Sequence, residues 1–172
     1  MRAAGVMRIR AATVADAAAM RDIYAPYVET TAISFELTPP TLDEFAARVA
    51  KVLGGWSWLV AEKDGRCIGY AYGTVHRDRP AYRWSTEVSA YVHPAHYRKG
   101  VGGALYRRLF DELAAKGYCN AFAGIALPND ASVALHRSVG FEPIGVFRRI
   151  GWKFDRWHDV AWFQRRLRDT PQ

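Results

Sequence analysis

Between Val92 and Ala104 the chain reads Val92-His93-Pro94-Ala95-His96-Tyr97-Arg98-Lys99-Gly100-Val101-Gly102-Gly103-Ala104. A largely apolar run from Trp84 to Val92 precedes this turn. Behind it, Val101, Leu105, Leu109 and Leu113 recur at helical spacing, and Tyr118 to Leu127 reads as a further strand. The order is therefore strand, glycine-rich turn, helix, strand. The turn sets Gly100, Gly102 and Gly103 beside Arg98 and Lys99, where the helix must begin. Such a turn aims bare backbone N–H groups at one point, and the positive end of the helix dipole adds to them. A pyrophosphate suits that arrangement. A Cβ in the turn would hold the phosphate off the backbone.

Two common phosphate motifs do not fit. A Walker loop needs Gly-Lys-Ser/Thr, which occurs nowhere in the chain. A dinucleotide fingerprint needs Gly-x-Gly-x-x-Gly after the first strand, whereas Gly100-Val101-Gly102-Gly103 lacks the third glycine and lies mid-chain.

With these residues in hand, the sequence resembles the GNAT N-acetyltransferase superfamily. That family carries Gln/Arg-x-x-Gly-x-Gly/Ala at the head of a helix, after a strand ending in Val-x-Pro. Here Tyr91-Val92-His93-Pro94 is followed by Tyr97-Arg98-Lys99-Gly100-Val101-Gly102. The segment from Asn129 through Ser132 and His136 to Gly140-Phe141 is similar to the family's second signature. Within the superfamily, Trp58 to Glu62, Trp84-Ser85-Thr86-Glu87, Leu127-Pro128-Asn129-Asp130 and Trp157-His158-Asp159-Val160 resemble the phosphinothricin and methionine sulfone acetyltransferases. The resemblance runs from about Ile9 to Leu167. One position departs from it: Tyr97 stands where Gln or Arg is usual.

The chain has 172 residues, 50% of them hydrophobic, which suits one globular domain spanning 1–172 with a core from about 7 to 168. No apolar run is long enough to cross a membrane as a helix. The start lacks a secretory apolar region, and Met1 and Met7 are both candidate initiators. Cys67 and Cys119 are isolated and lie in strand patterns, so they read as buried free thiols in a reducing cytoplasm. No metal site is expected, because zinc would need more ligands at closer spacing. The net charge is +7, but the basic residues are scattered and form no long run. That pattern argues against nucleic acid and suits an anionic small molecule. No membrane partner is expected.

Along the chain, Ile9 opens a short strand and Ala17 to Tyr27 recur at helical spacing, with Pro26 expected to end or kink that helix. A loop is expected from Val28 to Thr38. Thr41-Leu42-Asp43-Glu44 is a capping box, and Asp64-Gly65 is a hairpin signal between two strands. The strand from Tyr118 to Leu127 is small and apolar and is expected to be buried on both faces. Ile144 to Phe154 and Trp157 to Leu167 form a late antiparallel pair. The order β-α-α-β-β-β-α-β-α-β-β gives an α+β fold with a mixed, largely antiparallel central sheet and helices on both faces. The resemblance implies that the strands through Glu87 and Ile125 splay apart at the coenzyme.

Acetyl transfer to an amine needs a base for the amine's proton and a donor for the developing oxyanion. Glu87, mid-strand among apolar and small residues, is the first candidate base, because burial raises a carboxyl pKa. His136, about two turns into its helix, is the second candidate, as base or as acid for the thiolate. The residues leave the choice open.

The resemblance implies that acetyl-CoA lies on Ser89, Ala90, Tyr91, Val92 and His93, on Tyr97, Arg98, Lys99, Gly100, Val101, Gly102 and Gly103, and on Asn129 and Ser132. For the acceptor, Arg77, Arg79 and Tyr82 precede the central strand, and an arginine there suits a carboxylate. Thr86 and Val88 flank Glu87, and Phe35 and Glu36 are candidate pocket walls. His93 and His158 read as structural. The implied activity is acetylation of a small amino acid or analogue such as phosphinothricin, methionine sulfoximine or methionine sulfone, hence herbicide resistance, by a homodimer. A protein N-terminus or polyamine acetyltransferase, and a non-catalytic acyl-CoA sensor, are the alternatives.

Overall fold

The computed structural model describes residues 5–171; the candidate initiator Met1 lies outside them. Seven strands form one sheet in the order β1-β2-β3-β4-β5-β7-β6. They are β1 (Arg8–Ala11), β2 (Trp58–Lys63), β3 (Arg66–Val75), β4 (Ser85–Val92), β5 (Asn120–Ala126), β6 (Glu142–Lys153) and β7 (Arg156–Arg166). Helices α1 (Ala17–Thr30), α2 (Leu42–Leu53), α3 (Val101–Ala115) and α4 (Asp130–Ser138) complete the expected order. Every strand pairing is antiparallel except that of β4 with β5.

Strand alternation sorts two cores onto the two faces. Trp58, Val60 and Tyr70 pack with Met20, Ile23, Phe45 and Val49 of α1 and α2. Leu59, Ala61, Ala71 and Val88 point the other way, to Leu105, Leu109 and Leu113 of α3. Those three leucines are fully buried, each worth about 1.5–3 kcal/mol of apolar burial. Asp64 and Gly65 both have positive φ (51° and 73°), as a tight hairpin turn between β2 and β3 requires. Thr41 accepts from the Glu44 N–H at 3.2 Å, and Glu44 returns a bond to the Thr41 N–H at 2.8 Å, which completes the capping box of α2.

Three expectations are corrected. Helix α1 runs through Pro26 to Thr30 and does not stop there. Pro26 and Asp22 are both exposed, so the carbonyl that the proline leaves unpaired faces solvent, while Ile23, Tyr24 and Val28 continue the buried stripe. Strand β5 is fully buried on one face only: Ala121, Ala123 and Ile125 are buried, while Phe122 is half-buried and Gly124 exposed. Cys119 is buried, but Cys67 is only half-buried.

The fold positions a site by one irregularity. Strands β4 and β5 pair at only three positions: Ser85 with Asn120, Thr86 with Ala121, and Glu87 with Phe122. Beyond Glu87 the two strands diverge. β4 continues to Val92 against β3 alone, and β5 to Ala126 against β7 alone.

Candidate active site

The chain leaves the open end of β4 through the glycine turn. Pro94–His96 is a short 3₁₀ turn, and a ring nitrogen of His93 accepts from the Ala95 N–H at 3.2 Å. Gly100 has φ 77°, a left-handed conformation that costs a residue with a Cβ about 1 kcal/mol or more. That residue turns the chain into α3, whose first N–H groups have no carbonyl a turn earlier to bond. A Cβ on Gly102 would lie 2.9 Å from Leu135 Cδ2, so glycine here allows α3 and α4 to approach. The Tyr97 hydroxyl is hydrogen-bonded to Tyr27, which in turn donates to the Val92 carbonyl at 2.6 Å. Tyr97 thus ties the turn to α1.

Where β4 and β5 diverge, a cavity opens among Ser89, Tyr91, Ile125, Asn129, Ser132 and His136. Asn129 is the N-cap of α4 and accepts from the Ser132 N–H at 3.1 Å. His136 is buried, with Nδ1 2.7 Å from the Ser132 carbonyl and Nε2 3.0 Å from the Tyr106 hydroxyl. A carbonyl only accepts, so Nδ1 carries the proton and Nε2 accepts from Tyr106. Burial pushes the His136 pKa below its ordinary value, which favours this neutral ring. Burial also raises the Tyr106 phenol, so it stays protonated.

Glu87 stands at the vertex of the divergence on the opposite face. It pairs with Thr74 and shares its side of β4 with Ser89 and Tyr91, which face α1 and α2. Its side chain is 29% exposed. Burial raises its pKa, opposed by the nearby His76 and Arg77. His76 Nδ1 lies 3.5 Å from Glu87 Oε1.

Residues 9–162 match the acetyltransferase (GNAT) domain family. The chain belongs to the GNAT acetyltransferase family. It is 40% identical to the phosphinothricin N-acetyltransferase of Streptomyces viridochromogenes, over 92% of this chain and 87% of that one. It is also 40% identical to the L-methionine sulfoximine/L-methionine sulfone acetyltransferase of Salmonella typhimurium, over 94% and 95% respectively. The crystal structure of a phosphinothricin acetyltransferase from Sinorhizobium meliloti in complex with AcCoA superposes with a TM-score of 0.92 at 36% identity, covering 96% of this chain and 93% of that one. These relatives make the protein an N-acetyltransferase of the GNAT family.

The geometry brings some of the expected residues together and separates others. Ser89, Tyr91, Asn129, Ser132 and His136 line one cavity. The Thr86 side chain is fully buried on the α3 face, where Oγ1 donates to the Thr74 carbonyl at 2.7 Å. Val88 points the same way and is equally covered. Only their backbones can reach an acceptor on the Glu87 side. Arg77, Arg79 and Tyr82 lie on the exposed connection between β3 and β4. Glu36 is not free for a substrate, because Arg48 grips both of its oxygens at 2.9 and 2.5 Å and Tyr24 donates to it as well. Phe35 packs against His158, with ring centroids 6.0 Å apart.

Three residues that sequence reasoning passed over matter here. His76 and Tyr106 touch the two candidate catalytic groups. Lys153 is buried and gives all three of its N–H bonds to the carbonyls of Val28, Ser34 and Glu36, at 2.6–2.8 Å, which holds the Phe35 loop in place. Only His76 left a usable signal: it continues the alternation Tyr72, Thr74 on β3, and Thr74 pairs with Glu87.

Proposed function

We propose that this enzyme transfers acetyl from acetyl-CoA to the amino group of a small amino acid or analogue of the phosphinothricin, methionine sulfoximine and methionine sulfone type, by direct attack in a ternary complex. The observation that carries the reading is the parting of β4 and β5 beyond Glu87, whose carboxyl pKa burial raises, next to a cavity lined by neutral His136.

In this reading the pyrophosphate sits on the backbone N–H groups of the Arg98–Gly103 turn, with Arg98 and Lys99 adding charge. The pantetheine arm occupies the edge of β4 that β5 leaves unpaired, at Ser89 to His93, and pairs with it as a strand would. Asn129 and Ser132 border that arm. The acceptor lies on the Glu87 face with its carboxylate on Arg77 or Arg79. Glu87 takes the proton from the attacking amine, directly or through a water. His136 is not the base, because its Nε2 lone pair is engaged by Tyr106. The carbonyl carbon gains the C–N bond and loses the C–S bond; the sulfur leaves as a thiolate beside the neutral Tyr106–His136 pair and takes its proton from solvent.

The protein acts as a homodimer in the cytoplasm. In support of the dimer, β6 is a terminal strand of the sheet and exposes Ile144, Val146, Phe147, Ile150 and Trp152, each at least 48% accessible. A long apolar edge of this kind invites a second copy.

A thiol-release assay with acetyl-CoA tests the acceptor. Phosphinothricin, methionine sulfoximine and methionine sulfone should turn over, and spermidine and an alanine-starting peptide should not. Coenzyme binding without turnover of any of the three would refute the substrate assignment.

A further inference from the structure

His76 directly follows β3, two residues beyond Thr74, the direct partner of Glu87. Its ring does not run on into solvent. It reaches across β4 and stacks on Phe122 of β5, with centroids 4.6 Å apart and planes 16° from parallel. The imidazole thus closes over the end of β4, beside the carboxylate. Nδ1 is buried and has no hydrogen-bond partner among the described residues, although Glu87 Oε1 is only 3.5 Å away. A buried polar nitrogen without a partner is costly, and active-site bonds that are long in a free enzyme tighten when the ternary complex forms.

We infer that His76 is a positioning residue for Glu87: its Nδ1–H fixes one carboxylate oxygen and leaves the other to the amine. The inference rests on the reading of Glu87 as the base. Packing fixes the ring before any ligand arrives, because Phe122 holds one face of it and the Tyr82 ring lies edge-on 6.0 Å away. The remaining neighbours of His76 on β6 and β7, Ile144, Phe147 and Trp162, carry no charge. Apart from His76 itself, the charged group that acts on Glu87 is Arg77, on the connection after β3. His76 and Arg77 both draw the Glu87 pKa down against the effect of burial. Removing the His76 donor therefore has a defined sign: it raises that pKa.

Two variants test this. His76→Phe keeps a ring against Phe122 and removes Nδ1, whereas His76→Asn keeps an N–H close to the Nδ1 position and removes most of the ring. His76→Phe should lower kcat/KM about ten- to a hundred-fold, the worth of one hydrogen bond to a charged group. It should also move the acid limb of the kcat/KM profile to higher pH, with the Kd for acetyl-CoA unchanged. His76→Asn should recover most of the rate and return the limb toward its original place. A wild-type rate and profile in His76→Phe would overturn the inference. So would equal losses in both variants with no movement of the limb, which would reduce His76 to packing. Glu87→Gln, measured in parallel, separates the two claims. An active Glu87→Gln enzyme sinks the reading of the base itself, while an inactive one beside an unaltered His76→Phe sinks only the role of His76.

Discussion

Glu87 and His136 flank the parting of β4 and β5 from different sides: Glu87 is the last residue of β4 paired with β5, and His136, bonded to Tyr106 of α3, lines the cavity that opens beyond it. Burial shifts these two titratable groups in opposite directions, the carboxyl upward and the imidazole downward. Divergent environments of this kind sort acid from base on a single scaffold.

The Tyr106–His136 hydrogen bond makes the two side chains one unit. Tyr106→Phe and His136→Phe should each slow turnover, and the double variant should be little worse than the slower single one. Single-turnover rates of the three proteins check this. Multiplicative losses would mean that the two residues act independently.

Lys153 supports the Phe35 loop through three backbone carbonyls. Lys153→Met leaves those acceptors buried and unpaired, which should cost about 2–4 kcal/mol of stability. The urea midpoint should fall with an unchanged m-value, and KM for the acceptor should rise more than KM for acetyl-CoA. An unaltered midpoint would show that water or a local shift replaces the ammonium.

Gly100 needs its positive φ to start α3 at the proposed phosphate site. Gly100→Ala meets no steric contact within 4 Å, so its effect should be purely conformational, about 1–2 kcal/mol. Calorimetry should show coenzyme affinity weakened about five- to thirty-fold at that cost. Unchanged affinity would remove the turn from the binding site.

The exposed apolar row on β6 bears on assembly. Sedimentation should find a dimer for the wild type and a monomer for Ile150→Lys, which places a charge on that edge. A monomeric wild type would contradict the homodimer.

Much of this molecule was legible in the sequence because the signals were local. Asp64-Gly65, the Thr41/Glu44 capping box and the Gly100 turn each fix backbone geometry within a few residues. Alternation along β4 also carried the information that Thr86 and Val88 point away from Glu87, although their adjacency suggested otherwise. What was not legible depends on tertiary register. His76 reaches Glu87 by crossing a strand, Tyr106 meets His136 from 30 residues away, and Lys153 bonds carbonyls more than 100 residues distant. Pro26 misled because the helix sets it on the solvent side, where a missing N–H costs little.

The most direct test is kcat/KM for the amine acceptor against pH, in the wild type and in Glu87→Gln, alongside the Kd for acetyl-CoA. The wild-type profile should rise through a pKa above that of an ordinary glutamate, because a base acts only when deprotonated and burial holds this one up. Glu87→Gln should lose about a hundred-fold or more, keep its coenzyme affinity and lose that acid limb. A Glu87→Gln enzyme with near wild-type turnover and the same limb would contradict the assignment of Glu87 as the base.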